Sequence, residues 1–155
     1  LNRRAVLDML ERELLRGRRL GYAISVAMVD IDCYKQINDS LGHLAGDAAM
    51  TAFATRLESQ LRPYDAVGRY GGDEFLIVLT DCGLQQALQI CDRIRSAVSS
   101  APFTATGHLV EMSISIGLAC VESASNTSVH EVIHRADTAL YQAKNSGRNR
   151  VVVAS

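Results

Sequence analysis

The segment RYGGDEFLIVL, residues 69–79, places two glycines and two acidic residues directly before a five-residue apolar run. A glycine pair between strand-like segments is typical of a two-residue hairpin loop, because such turns require positive φ at their central residues. The segment therefore predicts an antiparallel hairpin that turns at Gly71 and Gly72. Asp73 and Glu74 would lie at its tip, where neighbouring carboxylates repel each other unless a cation offsets their charge.

Apolar periodicity divides the rest of the chain into alternating helices and strands. Helical spacing is found in four segments, at about 6–17, 49–61, 83–99 and 128–145. Strand-like patterns are found at 23–32, 64–70, 74–79, 112–120 and 150–154. Because strands and helices interleave while the hairpin is antiparallel, the pattern predicts an α+β fold with a mixed, partly antiparallel central sheet flanked by helices.

Local signals add predictions about where these elements end and pair. We expect the first helix to end near Gly17 and the second to stop before Pro63. The polar stretch KQINDSLGHLAGD, residues 35–47, is expected to form a bend. Segment 112–120 alternates as a half-buried strand does, and we expect it to pair with the irregular stretch before it.

The composition limits the kinds of molecule that the chain is expected to bind. With 155 residues, we expect a single domain, 1–155. Sixteen basic and seventeen acidic residues give a net charge of −1, so no overall field attracts nucleic acid or a membrane surface. No membrane span or signal peptide is visible. Because the sequence begins at Leu1 and not at methionine, we expect a cytoplasmic fragment of a longer protein, which could itself be membrane-anchored. The four scattered cysteines favour reduced thiols.

The first predicted strand ends in two acids that should project to the same side. Asp30 and Asp32 are two residues apart, and residues i and i+2 of a strand share a face. If this strand neighbours the hairpin, Asp30 and Asp73 approach each other, and two such charges repel by about 4 kcal/mol at about 4 Å in an effective dielectric of about 20. A divalent cation would reverse that repulsion, and Mg²⁺ favours one or two carboxylates together with phosphates and water. From spacing alone, solvated acids at strand ends are an equally good interpretation.

Four motifs together carry a family resemblance. They are DIDCYKQIND (30–39), GHLAGD (42–47), GGDEF (71–75) and ADTALYQAKNSGRNR (136–150). In this order and spacing they resemble the GGDEF family of bacterial diguanylate cyclases, and the opening LNRR is similar to the end of that family's N-terminal motif. The resemblance covers essentially the whole chain. It implies a ferredoxin-like, nucleotidyl-cyclase-like GGDEF fold.

The resemblance implies a metal site and a catalytic role for the acids. Asp30 and Asp73 would be metal ligands, together with the backbone carbonyl of Ile31. The metal would be Mg²⁺, with Mn²⁺ as a possible substitute. Glu74 lies beside them, and the expectation is that it orients the attacking hydroxyl or assists its deprotonation. The catalytic residues implied are thus Asp30, Asp73 and Glu74.

The resemblance also implies a binding site for the phosphates of a nucleotide. Lys35, Lys144 and Arg148 would hold the triphosphate, with help from backbone amides around Lys35. Lys144 and Arg148 are four residues apart, so near a helix end both could reach one ligand. Gly71 and Gly72 would let the backbone approach the nucleotide closely, because they lack Cβ.

Asn38 and Asp47 would recognise guanine in this resemblance. A carboxylate only accepts hydrogen bonds, and the N1–H and 2-amino groups of guanine only donate, whereas adenine presents an acceptor at N1. GTP should therefore be preferred over ATP. Turn and helix N-cap chemistry is the alternative for these two residues. The chain departs from the family at Tyr34, where phenylalanine is usual.

The activity implied is the condensation of two GTP into cyclic di-GMP and two pyrophosphates. Each domain would hold one GTP, so a homodimer with twofold symmetry is required for catalysis. The implied partners are GTP as substrate and cyclic di-GMP as product and inhibitor, with no nucleic acid and no membrane contact. The alternative is a non-catalytic GGDEF module that binds GTP or cyclic di-GMP and signals through a partner. The intact acidic motif favours catalysis.

A second site is implied by RPYD, residues 62–65, just before the hairpin. It resembles the family's inhibitory R-x-x-D motif, and Arg93 matches the supporting arginine. Arg62, Asp65 and Arg93 would then bind cyclic di-GMP, since arginine forks suit phosphates and guanine edges. From these residues alone, a helix-terminal arginine and a turn aspartate are the simpler interpretation. The spacing to GGDEF favours feedback binding.

The stretch HEVIH, residues 130–134, fits the helical zinc motif H-E-x-x-H. The apolar stripe of this helix runs through Val132, Ala136 and Leu140, so His130 and His134 fall on its flank. A solvated pair of histidines is the favoured interpretation, and zinc hydrolysis is the alternative.

Overall fold

A computed structural model describes residues 1–123 and 125–155. Its helices are α1 (Arg3–Leu20), α2 (Tyr34–Leu41), α3 (His43–Glu58), α4 (Leu84–Ser99) and α5 (Val129–Asn145). Its strands are β1 (Ile24–Ile31), β2 (Ala66–Arg69), β3 (Glu74–Leu79), β4 (Phe103–Ala105), β5 (His108–Val110), β6 (Ile114–Val121) and β7 (Val151–Val153). The predicted helix at 83–99 and the closing strand are confirmed.

Within the described residues, five strands form one sheet in the order β2-β3-β1-β6-β7. The pairs β2–β3, β3–β1 and β1–β6 are antiparallel, and β6–β7 is parallel. Strands β4 and β5 form a separate hairpin. The α+β fold class, a mixed and mostly antiparallel sheet flanked by helices, is confirmed.

The central strand β1 is buried along its whole length because helices cover both faces of the sheet. Ala27, Val29 and Ile31 contribute to a core with α3 and α4, which includes Phe53 and Ile94. Ile24, Val26 and Met28 contribute to a second core with α1 and α5, which includes Leu10 and Leu140. The period of two along the strand therefore sends Asp30 to the side of α1 and α5.

The first helix does not end near Gly17, as the sequence suggested. It continues to Leu20 and is capped by Gly21, whose φ of 82° is left-handed. Gly17 serves packing instead, because a Cβ there would lie 2.9 Å from the carbonyl oxygen of Tyr22. The missing side chain lets the helix contact the segment that follows it.

The polar stretch 35–47 is not a bend but contributes to two helices, α2 and α3, joined at Gly42 with φ 85°. Turn-forming residues such as Asn38, Asp39 and Ser40 lie inside α2, where packing against α3 outweighs their low helix propensity. Helix α3 accordingly begins at His43 and ends at Glu58, earlier than predicted.

Strand β6 also differs from its prediction. It is buried at all positions except the partly exposed Cys120, so it is not half-buried. It pairs with β1 and β7, while the stretch before it forms the hairpin β4–β5. Because helices cover both faces of the sheet, the alternation of small and large residues in β6 does not indicate a solvent-exposed face.

The hairpin β2–β3 is antiparallel as predicted, but its loop is longer than two residues. Arg69 pairs with Phe75, and the amides of Tyr70 and Gly71 both donate to the carbonyl of Glu74, at 2.8 and 3.2 Å. Neither Gly71 nor Gly72 has the positive φ expected of a two-residue turn. In the part of the chain that the structure describes, no helix is long and apolar enough to cross a bilayer.

Candidate active site at the acidic end of the sheet

The sheet brings the predicted acids to one edge. Strands β1 and β3 are antiparallel neighbours, and Asp30 lies opposite Glu74 in their register. The amide of Ile31 donates to the carbonyl oxygen of Asp73 at 3.3 Å, so Asp73 lies just beyond the last residue pair of the β1–β3 ladder. Glu74, and not Asp73, is thus the direct cross-strand partner of Asp30, and Asp73 lies in the loop beside both.

Asp30 is a buried carboxyl whose charge is only partly compensated. It is 6% exposed, and the Lys144 ammonium contacts its Oδ2 at 2.7 Å. Burial raises the pKa of Asp30 from 3.8 to about 6; Lys144 acts in the opposite direction, and the charges of Asp73 and Glu74 add to the rise. A further cation at this edge would therefore stabilise the ionised form.

The donors at this edge suit a hard divalent cation. Asp30, Asp73 and the Ile31 carbonyl offer oxygen atoms, which Mg²⁺ prefers over nitrogen or sulfur. Among the described residues, no cluster of three or more Asp, Glu, His or Cys side chains could hold a metal by itself. A Mg²⁺ ion here would thus need oxygens from the backbone, water or a ligand, which is its usual mode with phosphates.

Asp32 shares the face of Asp30 but has a structural role. Its carboxylate accepts hydrogen bonds from the hydroxyls of Ser113 and Ser115, at 2.6 and 2.7 Å, and from the amide of Asn149 at 3.1 Å. These bonds tie the loop after α5 to the end of β1. Sequence reasoning missed this role because the partners lie 81 to 117 residues away.

Of the three predicted phosphate-binding cations, Lys144 contacts the acidic edge. Lys144 lies in the last turn of α5, and Lys35 is exposed in the first turn of α2. Arg148 lies beyond the end of α5 with φ 60°, and its amide donates to the carbonyl of Ala143. The spacing of four therefore does not place Lys144 and Arg148 on one helical face, and a shared ligand stays a prediction.

Asn38 lies on α2 and packs against Gly46 of α3, the residue before Asp47. The Oδ1 atom of Asn38 is buried and accepts no hydrogen bond from any described residue. The carboxamide lies over Gly46, where a Cβ would contact Oδ1 and lie 2.9 Å from Cγ. Asp47 is exposed in the next position of α3. A buried acceptor without a donor costs free energy, so this position favours a ligand that donates.

The two loop glycines have different surroundings. A Cβ on Gly71 would lie 2.7 Å from Oε2 of Glu74, so its absence leaves room for that carboxylate. Gly72 faces open space, and its carbonyl accepts from Nε and Nη2 of Arg69 at 2.9 and 2.6 Å. Open space at Gly72 is compatible with close approach of a ligand, which remains a prediction.

The residues of the predicted second site lie at the opposite end of β3. Nε and Nη2 of Arg62 donate to the two carboxylate oxygens of Asp65 at 2.9 and 2.8 Å. Nη2 also donates to the Thr80 carbonyl at 3.0 Å, and the Tyr64 ring lies 4.6 Å from the guanidinium. The bond to Asp65 raises the pKa of Arg62. Arg93, on α4, donates to the carbonyl of Gln60 at 2.7 Å.

The two histidines of HEVIH are exposed on α5, with their rings stacked and their centroids 6.4 Å apart. The core-facing residues Val132, Ala136 and Leu140 are buried, as the apolar stripe predicted. The histidines therefore lie on the flank of the helix, away from the core.

Comparison with known proteins shows that the chain is similar to diguanylate cyclases. A family model described as "Diguanylate cyclase, GGDEF domain" matches residues 1–150. Diguanylate cyclase DgcP of Pseudomonas aeruginosa is 39% identical over 153 residues, which is 99% of this chain and 22% of that protein. Response regulator PleD of Caulobacter vibrioides is 40% identical over 153 residues, 97% of this chain and 34% of PleD. The chain thus spans about a fifth to a third of these relatives.

A solved structure agrees with the fold over nearly the whole chain. The GGDEF domain of DgcB from Caulobacter crescentus, in complex with c-di-GMP, aligns with a TM-score of 0.92 and 33% identity. The alignment covers 99% of this chain and 88% of that one.

Proposed function

The chain belongs to the GGDEF domain family of diguanylate cyclases, and from this premise we propose that it condenses two GTP into cyclic di-GMP and two pyrophosphates. The observation that carries the proposal is the meeting of Asp30, Asp73 and Glu74 at the adjoining ends of β1 and β3. Burial raises the pKa of Asp30, and the charges of Asp73 and Glu74 add to the rise, so a cation beside these carboxylates would be stabilised.

Guanine lies between Asn38 and Asp47 in this proposal. The buried Oδ1 of Asn38, without a donor among the described residues, and the exposed carboxylate of Asp47 both accept hydrogen bonds. Guanine supplies donors at N1 and at its 2-amino group. Adenine would turn an acceptor toward these oxygens, and the uncompensated repulsion would reject it.

Asp30, Asp73 and the Ile31 carbonyl would hold the metal, Mg²⁺ or in its place Mn²⁺. When bound, the ion supplies positive charge to the phosphate oxygens and stabilises the charge that develops during transfer. Lys144 neutralises Asp30 in the ligand-free chain. With a metal bound, Lys144 would bind phosphate together with Lys35 and Arg148.

The reaction requires two copies of the domain. The 3′-oxygen of each GTP forms a bond to the α-phosphorus of the GTP on the other copy. The bond between that phosphorus and the β-phosphate oxygen breaks, and pyrophosphate leaves. The 3′-hydroxyl loses its proton, and Glu74 accepts it or orients the hydroxyl. A twofold axis makes the two transfers equivalent, so catalysis consists mainly of positioning.

Product feedback is the second part of the proposal. Arg62, Asp65 and Arg93 would bind cyclic di-GMP, whose phosphates match arginine forks. DgcB shows that a relative's GGDEF domain binds this dinucleotide. In the free chain, Asp65 already occupies the Arg62 fork, so the ligand must compete with an internal carboxylate.

The test is product formation from GTP and Mg²⁺, followed by chromatography of the nucleotides at several protein concentrations. Cyclic di-GMP should form at a rate that rises with the square of protein concentration while the dimer is sparsely populated. The matched control is Asp73→Asn, which removes one charge without changing size. GTP binding without any cyclic product at high protein concentration would instead establish the non-catalytic module. Failure to bind either GTP or cyclic di-GMP would reject both functions.

A further inference from the structure

Asp32 connects the end of β1 to the segment that follows α5. Its side chain belongs to a residue that is 8% exposed, and the hydroxyls of Ser113 and Ser115 hold the carboxylate from the start of β6. The third donor is the backbone amide of Asn149, at 3.1 Å. Asn149 directly follows Arg148, one of the predicted phosphate-binding cations. Asp32 therefore fixes the backbone immediately next to that arginine.

The segment around Arg148 has a backbone conformation that residues with side chains rarely adopt. Gly147 has a φ of 116°, and Arg148 and Asn149 follow with φ of 60° and 45°. Two consecutive non-glycine residues in the left-handed region carry strain, and such a conformation persists only where surrounding contacts hold it. It takes the chain from the end of α5 to the start of β7 within residues 146–150. The contacts that hold this turn therefore decide where the Arg148 side chain leaves the backbone.

Three side-chain and backbone contacts hold the turn on either side of Arg148. The Arg148 amide donates to the carbonyl of Ala143 at 3.0 Å. Nη1 of Arg95 donates to Oδ1 of Asn149 at 3.2 Å, in a contact that is exposed to water. The bond from the Asn149 amide to Asp32 is partly buried and has a carboxylate as acceptor, which makes it stronger than a bond between neutral groups. Asp32 thus supplies the firmest connection between this turn and the sheet.

We propose that Asp32 is a positioning residue that holds Arg148 beside the acidic edge, where its guanidinium binds the two phosphates of GTP that leave as pyrophosphate. This inference rests on the proposed function, because it concerns the same triphosphate. Asp30 and Asp32 share one face at the end of β1, so a single strand end would position both the metal ligand and the arginine. The Asp32 oxygens already accept from the two serines and Asn149. Asp32 therefore acts through Arg148 and contributes to affinity for the triphosphate, not to recognition of the base.

The experiment measures two dissociation constants with Mg²⁺ present, for a GTP analogue with an uncleavable α,β-methylene bridge and for GMP. GMP carries the base and one phosphate but lacks the two phosphates assigned to Arg148. Asp32→Ala should raise the Kd of the analogue about tenfold, as Arg148→Ala does, and leave the Kd of GMP within about twofold. In the double variant the two losses should not add, because both variants remove the same contact.

Ser146→Ala is the matched control in the same turn. Its hydroxyl donates to the carbonyl of Gln142 at 2.7 Å at the end of α5, and it does not contact Asp32. This variant removes a hydrogen bond close to Arg148 but keeps the bond between Asp32 and the Asn149 amide. It should change neither Kd.

The outcomes separate this inference from the function on which it rests. If the parent protein does not bind the GTP analogue, the condensation of GTP and this inference are both wrong. If Arg148→Ala weakens the analogue and Asp32→Ala does not, the positioning role is wrong and the triphosphate site stands. If Arg148→Ala has no effect, the inference is wrong and the acidic site stands. Losses that add in the double variant, or an equal loss for GMP, would show that Asp32 only stabilises the fold.

Asp32→Asn tests the inference even if Asp32→Ala does not fold. Asparagine retains a carbonyl oxygen for the Asn149 amide, and serine hydroxyls can donate or accept toward the new amide group. The Kd of the analogue should therefore stay within about twofold of the parent value. Hydrogen exchange of the Asn149 amide reports whether the bond is kept. A loss of about tenfold in affinity while that amide stays protected would overturn the inference, and so would lost protection with an unchanged Kd.

Discussion

Strand β3 carries a cluster of charged and polar residues at each end, and the two clusters differ in how far their groups are satisfied. At the Glu74 end, the pKa of Asp30 is raised to about 6, and Oδ1 of Asn38 has no donor in the described chain. At the Thr80 end, the Asp65 side chain is fully buried, and it accepts hydrogen bonds from Nε and Nη2 of Arg62 and from two backbone amides.

This difference separates a site that awaits a ligand from one that already has an internal occupant. Binding at the first end supplies a partner to Oδ1 of Asn38, which has none in the described chain, although Asp30 is already paired with Lys144. Binding at the second end must replace bonds that the fold already makes. A cation paired with a carboxylate, Lys144 with Asp30 at one end and Arg62 with Asp65 at the other, therefore serves function at the first end and stability as well as any feedback at the second.

The largest expected effect is on stability at the Thr80 end. Arg62→Ala leaves the Asp65 carboxylate buried without its counter-charge, and breaking such a pair costs about 3 kcal/mol of unfolding free energy. Arg93→Ala removes an exposed arginine with one bond to Gln60, and its cost should stay below about 1 kcal/mol. Urea unfolding of both variants checks the difference. Equal midpoints would show that the Arg62–Asp65 pair is not structural.

The reverse result is expected at the Glu74 end. Asp73→Asn should lower cyclic di-GMP formation by about a hundredfold, since it removes charge at the reacting centre. Its stability should not fall, because the change relieves repulsion on Asp30. Product formation and urea unfolding are measured on the same preparation, with Asp137→Asn, an exposed acid on α5, as the charge-matched control. A stability loss as large as that of Arg62→Ala would erase the contrast between the two ends.

Arg93→Ala is a cleaner probe of feedback than Arg62→Ala, because it tests ligand binding without breaking the buried pair. We expect the concentration of cyclic di-GMP that halves the rate to rise about tenfold, as for the loss of one bond to a charged group. Turnover without product should stay the same. Arg4→Ala is the control, since the Arg4 side chain is 92% exposed on α1. Unchanged inhibition in Arg93→Ala would reject its role in the second site.

The last prediction concerns pH. The pKa of Asp30 is raised by folding from 3.8 to about 6, so the folded chain holds this proton more tightly than the unfolded chain. The resulting stabilisation is fully present below about pH 4 and is lost as pH rises through about 6. Asp30→Asn does not titrate, so its stability relative to the parent should rise as pH increases from about 4 to about 7. Thermal midpoints with a chelator present measure this, and a relative gain toward low pH would contradict the assignment.

The sequence by itself determined most of the secondary structure and the positions of the acids. Helices α4 and α5 and strands β1 and β3 follow from apolar periodicity, which is a local property that burial of one face imposes. The family motifs indicated which polar residues to examine. The stretch 35–47 misled this reasoning, because turn-forming residues in α2 become helical only through packing against α3.

Only the tertiary structure decided how the polar groups are satisfied. It placed Glu74 opposite Asp30, bonded Asp32 to Ser113 and Ser115 around the start of β6, and brought the Asn38 carboxamide against Gly46. It also paired Arg62 with the buried Asp65, so this arginine stabilises the fold without a ligand. The physical reason is that a buried polar group needs a partner within about 3 Å. Strand register and helix packing choose that partner from residues far apart in the chain, so no local pattern reveals it.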